Sequence, residues 1–98
     1  MSRPLIIREA AERDMADAFD WYEDQRPGLG AEFVHDAEQL LQTLVQRPLS
    51  FPIVEQVVRR ALMKRFPYSV YFVVEEDALS VIAVLHGSRD PKHWQARA

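Results

Sequence analysis

Three histidines and two clusters of cations carry most of the acid–base chemistry open to this chain of 98 residues. His86, Ser88 and Asp90 crowd into one segment, His86-Gly87-Ser88-Arg89-Asp90-Pro91-Lys92-His93-Trp94. A nucleophilic triad needs a mutual geometry that three neighbours in a single loop do not make. A zinc centre would have to draw on His35, His86 and His93 with carboxylates. His86 and His93 stand seven apart across a proline, and the chain has no cysteine and no short ligand motif. Gly28 and Gly30 belong to no phosphate-cradling loop. No catalytic constellation, metal or cofactor is therefore expected. One enzymatic chemistry does fit the residue types, namely cleavage of RNA by general acid and base. It needs a proton acceptor, a proton donor and cations around the phosphorane. His86 or His93 can move the proton, and Arg59, Arg60, Lys64 and Arg89 can supply the charge. Each has a plainer role beside it: cations protect strand edges, and a hydrogen-bonded histidine can close a strand.

The elements that position these residues are read from periodicity. Val70-Tyr71-Phe72-Val73-Val74 and Val81-Ile82-Ala83-Val84-Leu85 are rich in β-branched and aromatic residues and flank an acidic break, which predicts a hairpin. Tyr71 and Val73 point one way and Val70, Phe72 and Val74 the other, so both sheet faces are apolar. Leu5-Ile6-Ile7 predicts a first strand. Ala11, Met15, Ala18, Phe19 and Tyr22 then share one helical face from about Ala10, with Glu12 and Asp14 near the positive end of the dipole. Trp21 lies off that stripe, a candidate interface residue. Pro27-Gly28 breaks the helix. Phe33, Ala37, Leu40, Leu41 and Leu44 mark a second one from Leu29-Gly30 to about Gln46, and the short connection makes the pair an antiparallel hairpin. Asp20, Glu23, Asp24, Glu32, Asp36 and Glu38 fall mainly off the apolar stripes and are expected on a solvated face. A loop at Leu49-Ser50-Phe51-Pro52 leads into a strand from Val58 to Lys64, with Arg60, Leu62 and Lys64 at one parity and Arg59, Ala61 and Met63 at the other.

The expected fold is one α+β domain over residues 1–98 in the order β-α-α-β-β-β, with the helical hairpin packed on one face of a small, largely antiparallel sheet. No third long helix remains for the other face. The tail, a second copy or another protein must close it, and this shortage is the main functional inference from composition and pattern.

Charge bounds the partners. Residues 1–46 hold four Lys/Arg against ten Asp/Glu, and residues 47–98 eight against five, so a net of −6 faces a net of +3. The overall charge of −3 argues against general affinity for nucleic acid. No apolar run approaches the roughly 20 residues of a membrane span, no signal peptide precedes Pro4, and the lack of cysteine suits a reducing cytoplasm.

Ala10-Ala11 with Asp14, Trp21-Tyr22, Pro27-Gly28-Leu29-Gly30 and Phe33, then Arg59-Arg60, Phe66-Pro67-Tyr68, Val70-Tyr71-Phe72, and Val84-Leu85-His86-Gly87-Ser88-Arg89-Asp90-Pro91 with Trp94, form an ordered series. The series resembles the RelE/ParE toxin superfamily, close to the ParE plasmid-stabilisation branch, and covers nearly the whole chain. The resemblance implies the toxin of a type II toxin–antitoxin pair, neutralised by a ParD-like antitoxin whose disordered C-terminal segment wraps the toxin, in a hetero-oligomer. ParE toxins poison DNA gyrase, whereas RelE relatives cleave ribosome-bound mRNA. RelE-type ribonucleases are strongly basic and usually carry a tyrosine near the C-terminus; this chain is acidic and its last tyrosine is Tyr71. The expectation is thus a gyrase-binding inhibitor, with a ribosome-dependent endonuclease or a degenerate, antitoxin-binding toxin as the alternatives. His86, Arg89 and Trp94 are expected at the target surface, and Arg60, Leu62 and Lys64 at the antitoxin.

Overall fold

The computed structural model describes residues 3–88 and 91–97. The chain runs β1 (Leu5–Ile7), α1 (Glu9–Gln25), α2 (Leu29–Gln46), a 3₁₀ turn (Pro48–Ser50), β2 (Ile53–Glu55), β3 (Val58–Leu62), β4 (Tyr68–Val74), β5 (Leu79–His86) and α3 (Lys92–Gln95). Five strands form one sheet in the order β1-β5-β4-β3-β2. β1 lies parallel to β5 and every other neighbouring pair is antiparallel. The expected α+β hairpin-on-sheet architecture is what the chain adopts, with three short elements added, the 3₁₀ turn, β2 and α3.

The two long helices form where the period of apolar residues places them. Ala11, Ala18 and Tyr22 of α1 and Phe33, Ala37, Leu41 and Leu44 of α2 are buried. Against them the sheet sets Ala61, Val70, Phe72, Val81 and Val84. The Pro27–Gly30 segment makes the reversal tight. Gly28 has φ +91°, a left-handed conformation that L side chains resist. At Gly30 a Cβ would stand 2.5 Å from the Phe19 carbonyl oxygen, so only glycine lets the helices approach this closely. Glu23 accepts a hydrogen bond from the Gly30 amide at 2.9 Å, serving one of the unpaired donors at the start of α2.

The second face of the sheet is closed differently from the first. Val58, Tyr71, Ile82, Ala83 and Leu85 cluster there with Trp94 of α3. Tyr71 pairs with Ala83 and Phe72 with Val81, so Ile82 is the extra residue of a bulge, and it joins Ala83 on this face. Trp94 stacks on Tyr71 with ring centroids 4.9 Å apart and planes 16° from parallel. The tail is therefore one of the covers that the shortage of helix demanded. It corrects the expectation that Trp94 meets a partner: the indole is 6% exposed and belongs to the core. Lys64 is also displaced from its expected strand. β3 ends at Leu62; the Met63 amide still donates to the Tyr68 carbonyl in the β3–β4 register, closing the loop in which Lys64 sits exposed.

Candidate protein-binding surfaces

His86 ends β5, and there the sheet meets the second half of α1. Between them lies an open cleft of about 730 Å³ whose walls include Asp17, Trp21, Tyr22, Tyr68, His86 and Ser88. The Ser88 amide donates to His86 Nδ1 at 3.0 Å, with the Ser88 hydroxyl 2.8 Å from the same atom. An amide can donate only to a bare ring nitrogen, so the Nδ1 that faces Ser88 carries no proton. Tyr68 stands edge-on to the His86 ring at 5.3 Å. Tyr22 packs among Trp21, Phe33, Phe66 and Tyr68, and burial, with a smaller contribution from Tyr68, pushes its hydroxyl above the ordinary phenol range. Trp21 itself is 57% exposed, the most open of the large aromatic side chains in the cleft. Of the three residues expected at the target, His86 is in this cleft, Trp94 is not, and Arg89 lies outside the described residues.

The floor of the cleft is fixed by a contact between groups 83 residues apart. Asp14 accepts the Val84 amide at 3.0 Å, and Arg97 grips the same carboxylate through Nη1 at 2.5 Å and Nη2 at 3.3 Å. Arg97 also donates to the Ile82 carbonyl at 3.2 Å. β1 pairs with β5 only as far as Val81, so Val84 lies beyond the end of its neighbouring strand. A side chain supplies the acceptor that a longer β1 would have given. Asp14 is thus not a dipole-compensating residue of the first turn, and neither Glu23, Glu32 nor Asp36 is merely solvated.

The second candidate surface is the outer half of the second sheet face, on β3 and the tip of the β2–β3 hairpin. Arg60 and Leu62 point this way, on the parity of buried Val58. Leu62 is 64% and Val57 61% exposed, beyond the reach of α3. Arg60 and Lys64 make no ion pair among the described residues. Their neighbours are otherwise engaged. Arg59 faces the helices and donates to the Phe51 carbonyl at 2.6 Å, holding the loop before β2. Arg65 reaches back to α2, 2.6 Å from Glu32 and 3.2 Å from Asp36. Its hydrogen bond holds the Glu32 carboxyl below the ordinary glutamate range. The three residues expected at the antitoxin therefore stand near one edge, two on the strand and one in the loop.

Beside His86 the carboxylates that line the cleft are Asp14, whose charge Arg97 neutralises, and Asp17. Arg59 and Arg65 are committed to the fold.

Comparison with known proteins extends this picture. The profile of a family described as the ParE toxin of the type II toxin–antitoxin system parDE matches residues 5–91. The chain is 25% identical over 97 residues to Toxin ParE2 of Mycobacterium tuberculosis, covering 98% of this chain and 92% of that protein. Among solved structures it superposes on a chromosomal ParDE toxin–antitoxin system from P. aeruginosa with a TM-score of 0.79 at 20% identity, covering 87% of this chain and 96% of that one. It superposes less closely, with a TM-score of 0.57 at 16% identity over 88% of this chain and 99% of that one, on the toxin–antitoxin complex RelBE2 from Mycobacterium tuberculosis. Among the described residues no helix is long and apolar enough to cross a membrane.

Proposed function

Because the chain belongs to the ParE toxin family of type II toxin–antitoxin systems, we propose that it arrests growth in the cytoplasm by binding DNA gyrase, and that a ParD-like antitoxin neutralises it. The observation that carries the protein-binding reading is the unfinished second face of the sheet. α3 covers its centre, while Leu62 and Val57 remain exposed beside Arg60. A segment with apolar side chains and carboxylates fits there, ordering as it binds. Lys64, one loop further on, extends the cationic edge. The target is assigned to the cleft between α1 and the end of β5, where His86 and Trp21 offer polar and aromatic anchors.

Asp17, the carboxylate of the cleft that no described cation pairs, also favours protein binding over RNA cleavage. Expression of the toxin without antitoxin tests the reading. Cleaved gyrase–DNA complexes should accumulate while transcripts stay intact. Codon-specific cuts in mRNA without such complexes would establish the ribonuclease instead, and growth arrest with neither would leave gyrase without a role. For the antitoxin surface, Arg60→Ala combined with Lys64→Ala should weaken antitoxin binding about tenfold, on the scale of two partly exposed charge pairs. Unchanged affinity would remove the assignment.

A further inference from the structure

The cleft beside His86 carries more negative charge than the fold uses. α1 holds seven carboxylates against one arginine. Three of them have structural employment: Asp14 binds Val84 and Arg97, Glu23 serves the start of α2, and Glu9 pairs with Arg13. Asp17, Asp20 and Asp24 take part in no ion pair among the described residues. Asp17 lines the cleft with Trp21, while Asp20 and Asp24 follow at i+3 and i+7 on the exposed surface of the same helix, outside the cleft lining. Asp20 and Asp24 repel one another at i, i+4, and Asp24 lies in a last turn that contains no cation, at the end of the dipole that favours one. The free protein therefore keeps an unfavourable arrangement around an exposed tryptophan.

A concave site with an open indole, a neighbouring phenol ring and an unpaired carboxylate has the chemistry that holds a long cationic side chain. The stem lies on the rings, the charge sits over a π face, and the head reaches the carboxylate. We infer that this cleft docks a basic segment of the toxin's protein target, with Trp21 stacking an arginine and Asp17 receiving its guanidinium. The inference rests on the reading of the chain as a protein-binding toxin, and it adds the sign and type of side chain recognised. RNA is disfavoured by the same charge that selects arginine.

A fluorescein-labelled peptide, Gly-Arg-Gly-Arg-Gly, and its glutamate counterpart serve as probes of the purified toxin. The arginine peptide should bind and shift the indole NMR signal of Trp21 while leaving that of buried Trp94 in place, and the glutamate peptide should do neither. Asp17→Asn should weaken binding about threefold and Trp21→Ala about fivefold, the range of exposed cation–π and charge contacts. Asp77→Asn, which removes the same charge from the turn at the far end of β5, should leave affinity unchanged. An unmoved Trp21 signal, or equal losses for Asp17→Asn and Asp77→Asn, overturns the inference. In cells, gyrase–DNA complexes that persist with Asp17→Lys overturn it while leaving the gyrase reading intact. If the unaltered toxin forms no such complexes, the gyrase reading fails and the peptide measurement decides the cleft alone.

Discussion

Gly30 has no space for even a methyl group: a Cβ there would press on the Phe19 carbonyl oxygen at 2.5 Å and on Glu23 Cγ at 2.7 Å. Backbone cannot give way as a flexible side chain can, so Gly30→Ala should cost about 2 kcal/mol, the scale of overpacking at a close contact. Urea unfolding midpoints check this, and an unchanged midpoint would mean that α1 and α2 have freedom to separate. A second prediction concerns Glu32, whose carboxyl is held below its ordinary value of 4.5 by the hydrogen bond from Arg65. A lowered carboxyl stabilises the fold at pH values above its unfolded pKa, and the benefit is lost as pH falls through the folded value. The stability gap between the wild type and Glu32→Gln should thus be full at pH 7, shrink below pH 4.5 and diminish in high salt. A gap that persists in acid would assign it to packing. At this scale the sequence is least legible. Asp14 looks like a residue of the helix start, and nothing in local pattern couples it to Arg97 or to the Val84 amide. Such partners meet only once the sheet edge exists. His86 was recognisable as the end of a strand, but its pairing with Ser88 follows from the turn, not from the periodicity.

At the scale of elements, what was legible tracks length. α1 and α2 each carry enough turns for an apolar stripe to stand out, and the strands β4 and β5 are long runs of β-branched residues. β2 has three residues, one of them Glu55, and follows Pro52; no alternation can be read in so short a run. α3 has four residues in a polar, proline-marked tail, and only the position of Trp94 over Tyr71 makes it intelligible. The same fact reverses the meaning of Trp94, which read as an interface anchor because a tail tryptophan has no visible partner in the sequence. Trp94→Ala should destabilise the protein by about 3 kcal/mol, the lower part of the range for removing a buried large aromatic. Trp94→Phe should recover most of that loss. Thermal unfolding of the two variants provides the comparison, and equal stability of all three proteins would mean that α3 is not fastened to the sheet.

Across the whole molecule, charge and apolar exposure divide the surface into two regions of opposite character. The acidic half of the sequence supplies α1 and the wall of the cleft beside His86, while the basic half supplies β3 and the loop holding Lys64. That asymmetry was visible by counting charges, and so was the need for a cover on the second face. What counting could not provide was the division of labour on that face, where Trp94 closes the centre and Leu62 and Val57 are left open. On the proposed reading, the antitoxin and the target would meet surfaces of opposite charge. The most direct test is hydrogen exchange of the toxin, free and bound to its antitoxin, followed by mass spectrometry. Exchange should slow in residues 53–62 when the antitoxin binds; unchanged exchange there, with slowing confined to other parts of the chain, would contradict an antitoxin seat on β3.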